Sequence, residues 1–178
     1  MLRRKSLFGC VLTLVLFALV FSGCGSSSGG GGGSNSNDAG GDVSGYIGVW
    51  KNTDYGAVEV TVGNQIASGE GYRCFAGKVT CSAFRDGSLD ISGTNPLEDN
   101  YIVVNIFDFG GRTMTSFHVR AREEYDDGFD TVVNEFELDG ALGDAKTLKV
   151  HRLLISSQKN NTEHSFDPED DRYLTFTK

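Results

Sequence analysis

The chain is predicted to be all-β: an antiparallel up-and-down meander of about eight to ten strands closing into a β-barrel. Three observations carry this expectation. Short runs rich in Val, Ile, Phe, Tyr and Thr recur between residues 46 and 177. No segment repeats its apolar residues at the helical spacing of 3.6. Gly-containing dipeptides divide the runs: Asp86-Gly87, Gly110-Gly111 and Asp127-Gly128 each suit a two-residue hairpin loop, because a left-handed backbone is cheap for Gly and tolerable for Asp. Consecutive hairpins make sequence neighbours spatial neighbours, and a long meander closes because closure removes its exposed edges.

The elements follow in order. Arg3, Arg4 and Lys5 precede an apolar run of 15 residues, Leu7 to Phe21. A helical membrane span needs about 20 apolar residues, so this run reads as the core of an export signal. The segment Val20-Phe21-Ser22-Gly23-Cys24-Gly25 resembles the lipobox of bacterial lipoproteins, with Phe21 where Leu or Val is usual. The resemblance implies a signal peptide over 1–23, cleavage before Cys24 and acylation of that cysteine. Two or more acyl chains hold a protein firmly to a bilayer, where one binds marginally. Gly25 is not the Asp that retains some lipoproteins at an inner membrane, so the resemblance favours a lipid-anchored place in the outer membrane of a cell envelope, periplasmic or surface-facing.

Cys24 leads into a low-complexity stretch, Gly25 to Gly41, with eight Gly and five Ser in 17 residues. It lacks the apolar surface to fold and reads as a flexible tether with a reach of roughly 20–25 Å. Removal of residues 1–23 takes three of the 16 basic residues and no acidic one, leaving 13 against 24 and a formal charge of −11. That balance disfavours nucleic acid and suits a basic protein partner or cations.

Residues 42–178 are expected to form the barrel domain. Strands are expected at 46–53, 57–63, 70–76, 79–85, 88–92, 101–109, 112–125, 129–138, 147–155 and 172–177. Val58, Val60 and Val62 share one face; Phe117, Val119 and Ala121 oppose His118, Arg120 and Arg122. Strands 101–109 and 147–155 are apolar on both faces, so the second face is either covered or lines a cavity. Residues 139–146 read as a longer link. Gly77-Lys78 fits a type II′ turn, which would set Cys74 opposite Cys81 and let them form a disulfide, the default in an oxidising compartment.

Gly48-Val49-Trp50 opens the first strand after the tether. Here the domain resembles the lipocalins and the wider calycin families, whose first strand carries Gly-x-Trp. The resemblance implies that Trp50 closes the base of the barrel beneath an arginine, Arg152 or Arg172, in a cation–π stack. It also implies a site for a small apolar or amphipathic ligand, for which Trp50, Val103, Phe107, Phe117 and Phe136 are the candidate lining.

Two acidic clusters stand out, Glu123 to Asp130 and Asp167 to Asp171. Neither has the acid alternation of an EF-hand loop, and solvated loop charge is the expected reading. His118, His151 and His164 show no paired metal-ligand spacing, and no nucleophile, phosphate-loop or dinucleotide motif is present in the domain. The sequence calls for no metal, no cofactor and no catalytic residue. It leaves a ligand-binding barrel and an acidic interaction or inhibitor module with a filled core, with a hydrolase or isomerase using the barrel cavity as the weakest third reading.

Overall fold

The computed structural model describes residues 42–54, 57–167 and 172–178. The expected signal peptide at 1–23, Cys24 with its tether to 41, and Glu169, Asp170 and Asp171 of the second acidic cluster lie outside the described residues. A 3-10 turn, Ser44–Tyr46, leads into β1 (Gly48–Asn52), β2 (Val58–Gly69), β3 (Tyr72–Thr80), β4 (Ser88–Ile91) and β5 (Tyr101–Phe109). β6 (Arg112–Asp126), β7 (Thr131–Asp144), β8 (Thr147–Ser157), β9 (Thr162–Phe166) and β10 (Leu174–Thr177) complete the chain.

Eight strands form a closed antiparallel barrel in the order β1-β2-β3-β5-β6-β7-β8-β10, because β10 pairs both β8 and β1. The other two share an edge with a barrel strand. β4 pairs β3 over residues 77–80, and β5 takes the same strand over 72–75. β9 pairs β8 over 153–157, and β10 takes it over 147–150.

Register stacks the inward residues in rows. Phe117, Gly140 and Val150 lie side by side across β6, β7 and β8, then Val119, Leu138 and Leu153, then Ala121, Phe136 and Ile155. With Trp50, Val60, Phe75, Ile102, Val104 and Phe176 they belong to one buried cluster. An eight-stranded barrel is just wide enough for side chains to fill, and here the inward rows are buried.

The turns account for the differences from expectation. Gly110-Gly111 is the expected two-residue loop, with φ of 59° and 77°. Asp127-Gly128 starts a loop that runs to Asp130, and Asp86-Gly87 ends a longer connection before β4. Gly77-Lys78 is no turn. β3 runs straight through it, with Gly77 opposite Val62 and Lys78 opposite Thr61. Glycine stands there for clearance, since a Cβ would collide with the Thr61 carbonyl and the Ile102 side chain. The hairpin turns instead at Glu70-Gly71, where Gly71 has φ of 75°.

The expected disulfide falls with that turn. Cys74 and Cys81 are both free and buried. They lie on one extended run, about 23 Å apart at roughly 3.3 Å per residue, whereas a disulfide needs Cα atoms about 4.4–6.8 Å apart. Residues 139–146 are likewise mostly strand: β7 continues to Asp144 with a bulge at Gly140, and the link is Ala145-Lys146. β9 was not expected; Asn161, with φ of 46°, makes the turn into it.

Candidate functional site

The 3-10 turn crosses under the barrel and carries Tyr46 inside. Its ring stacks on Phe117 with centroids 5.3 Å apart. Its hydroxyl shares a 2.7 Å hydrogen bond with Thr115 Oγ1 and accepts the Leu142 backbone N–H at 3.4 Å. Trp50 is fully buried and donates Nε1–H to the Tyr46 carbonyl at 2.7 Å. The expected cation does sit over Trp50, but it is Lys178 rather than Arg152 or Arg172. Its Nζ lies 4.6 Å from the ring centroid and donates to the Gly45 carbonyl at 2.7 Å. Arg152 instead pairs with Glu137 at 3.0 Å and Asp139 at 3.7 Å.

Above this base the wall opens. β6 begins at Arg112 and β7 runs to Asp144, yet their pairing stops at Phe117 and Gly140. Between residues 112–116 and 141–144 the two strands part, and the Tyr46 hydroxyl bridges them. The opening forms a cleft of about 380 Å³ whose lining includes Asn105, Phe107, Met114, His118, Asp139 and His151. Phe107 and Met114 are cross-strand partners, 44% and 47% exposed.

His118 hydrogen-bonds Asp139 through Nδ1, and its ring lies 5.3 Å from that of Tyr101. Burial lowers its pKa from the ordinary value; Arg152 and Arg120 push the same way and Glu137 opposes them. Nδ1 is the ring nitrogen engaged with Asp139, and Nε2 is not part of that bond. Asp139 also pairs with Arg152 at 3.7 Å, beside a charge ladder on the outer face. There Arg120 opposes Glu137 at 3.6 Å and Arg122 opposes Glu135 at 3.5 Å, continuing the His118–Asp139 pair along β6 and β7.

The five expected lining residues do not share one cavity. Phe107 and Phe117 line the cleft. Trp50 and Phe136 are fully buried in the core cluster. Val103 points outward and is buried with Cys74 and Tyr101 in a separate cluster. Met114, His118, Asp139 and His151 were not expected at a site. The alternation that put His118 and Arg120 on one face was readable, but their partners on β7 follow only from register.

At the opposite end the interior turns polar. Glu123, Asn134 and Ser157 form the next row across β6, β7 and β8. Asn134 donates to Glu123 at 3.0 Å, while Asn134 Oδ1, Ser157 Oγ and the nearby Tyr125 hydroxyl have no hydrogen-bond partner among the described residues. In the first acidic cluster, Asp127 accepts the backbone N–H groups of Phe129 and Asp130, which lowers its pKa. Among the described residues no group of three or more His, Cys, Asp or Glu could hold a metal ion. No protein-family model matches the chain, and no curated protein and no solved structure matches it either.

Proposed function

We propose that the protein is an envelope lipoprotein, held to a bilayer through an acylated Cys24, whose barrel binds a small amphipathic ligand in the wall cleft rather than inside the barrel. One observation carries the reading. The inward side chains form one buried apolar cluster, whereas the cleft is open and about 380 Å³ in volume, within the roughly 300–1,000 Å³ usual for small-molecule sites. Phe107 and Met114 supply an apolar wall for the ligand's body. His118 Nε2, His151 and Asn105 supply polar contacts for its head, and the Asp139 bond holds the His118 ring in place.

The test is native mass spectrometry of the protein extracted from its own membranes. A co-purifying small mass is expected in the wild type and absent from Phe107→Asp; its absence from both refutes the ligand site. The acidic balance of the chain also favours a second reading, an acidic interaction module for a basic protein. In that case a protein co-purifies instead, and its binding weakens steeply with salt.

A further inference from the structure

We infer that the end of the barrel at which the chain enters is a bilayer-contacting face, with the β5–β6 hairpin as its inserting element. This rests on the anchored reading above and adds to it the surface that meets the lipid. The first observation is the hairpin's projection. β5 pairs β3 only as far as Asn105, and β6 pairs β7 only from Phe117 onward. Beyond those points residues 106–109 pair with 112–115, and Ile106 N–H also donates to the Gly71 carbonyl. Gly110-Gly111 closes the tip, with open space around both residues.

The outer face of this arm is mostly apolar, while Asp108 and Thr113 pair on its other face. Phe107, Phe109 and Met114 share its outer face and are 44%, 73% and 47% exposed. Phe109 opposes Arg112 across the tip. An aromatic ring beside a guanidinium suits the boundary between acyl chains and headgroups, where the ring is dry and the charge stays wet.

The second observation is where the chain comes in. Described residues begin at Asp42, and Tyr46, four positions later, hydrogen-bonds Thr115 of the arm. The tether expected over residues 25–41 therefore joins the domain at the foot of the arm. Ile47, 42% exposed, follows at the same entry. The far end of β6 carries Asp126, Asp127 and Asp130 around its loop, a charge that anionic lipid repels.

Three half-exposed side chains alone would hold a vesicle weakly. An acylated Cys24 keeps the arm at high local bilayer concentration, so weak contact suffices. Docked this way, the cleft that Phe107 and Met114 also line sits at the lipid surface, and an amphipathic ligand reaches it from the bilayer.

The test compares the full chain as wild type, Phe109→Trp and Phe129→Trp, purified from membranes and reconstituted into phosphatidylcholine–phosphatidylglycerol vesicles with brominated acyl chains. Phe129 is 93% exposed on the opposite loop and serves as the control. The indole added by Phe109→Trp is expected to be quenched at least twofold more than that added by Phe129→Trp, with Trp50 as a constant background. Equal quenching overturns the docking face. The mass of the Cys24 peptide is read from the same preparations. An unmodified Cys24 overturns the anchor and with it the docking face, whereas equal quenching with Cys24 acylated overturns the face alone.

Discussion

The inner and outer faces of β6, β7 and β8 are written by alternate residues of the same strands, and they do different work. Inside, Val119, Leu138 and Leu153 stand in one row and Ala121, Phe136 and Ile155 in the next, all buried. Outside, His118, Arg120 and Arg122 face Asp139, Glu137 and Glu135. One register produces both patterns. A slip of one residue would turn Arg120 and Glu137 inward and Val119 and Leu138 outward. The inner rows supply most of the stabilisation, through area removed from water. The outer ladder is partly exposed, with Arg120 38% and Glu137 21% accessible, so its pairs are weak individually. A shift by two would still set Arg120 against an acid, Glu135 or Asp139, so the ladder favours the pairing of these two strands while the inner rows fix its register.

Substitutions that act on one face alone sharpen this contrast. The largest effect is expected from Phe136→Ala, which leaves a cavity in a fully buried row and should cost about 3–5 kcal/mol in urea unfolding. Ser157→Ala probes the place where the inner face turns polar. Ser157 is 2% exposed and its Oγ has no hydrogen-bond partner among the described residues. Removing it should raise stability by about 1 kcal/mol, because the buried hydroxyl pays a desolvation cost that no bond returns; a loss of that size would show that the hydroxyl is satisfied in solution. On the outer face, a double-mutant cycle of Arg120→Ala and Glu137→Ala should give a coupling of about 0.2–1 kcal/mol that shrinks in high salt. A coupling above about 2 kcal/mol would mean that the ladder is far drier than its exposure indicates.

How much of this was legible follows the same division. Strand runs were readable because alternation is local: β5 and the start of β6 lie where Tyr101–Phe109 and Arg112 predicted them. Turns were readable where glycine serves backbone conformation, as at Gly110-Gly111. They were misread where glycine serves clearance. Gly77 and Gly140 are mid-strand because a Cβ would strike the carbonyls of Thr61 and Lys149 on neighbouring strands, and nothing local separates the two uses. The cleft was half legible. Phe107 and Phe117 could be chosen as large residues on strands, but the parting of β6 from β7 depends on Tyr46 arriving from a distant turn. Likewise the cation over Trp50 was expected from near the chain end, and only the fold selects Lys178 from among the basic residues there.

The two cysteines test the division between faces at its smallest effect. Cys74 lies in the outer cluster with Tyr101 and Val103, whereas Cys81 belongs to the inner core with Phe84 and Ile91. Seven residues of extended chain separate them, so no rotamer change joins their sulfurs. A reducing agent should therefore leave the thermal midpoint of the domain unchanged, whatever the redox state of its compartment. Burial raises the pKa of both thiols, and the thiolate is the reactive form. Neither should react with a thiol reagent in the native protein, and both should react after unfolding in urea. A midpoint that falls on reduction would require a bond between the two sulfurs. That would mean Gly77-Lys78 turns the chain after all, and β3 as a continuous strand would be wrong.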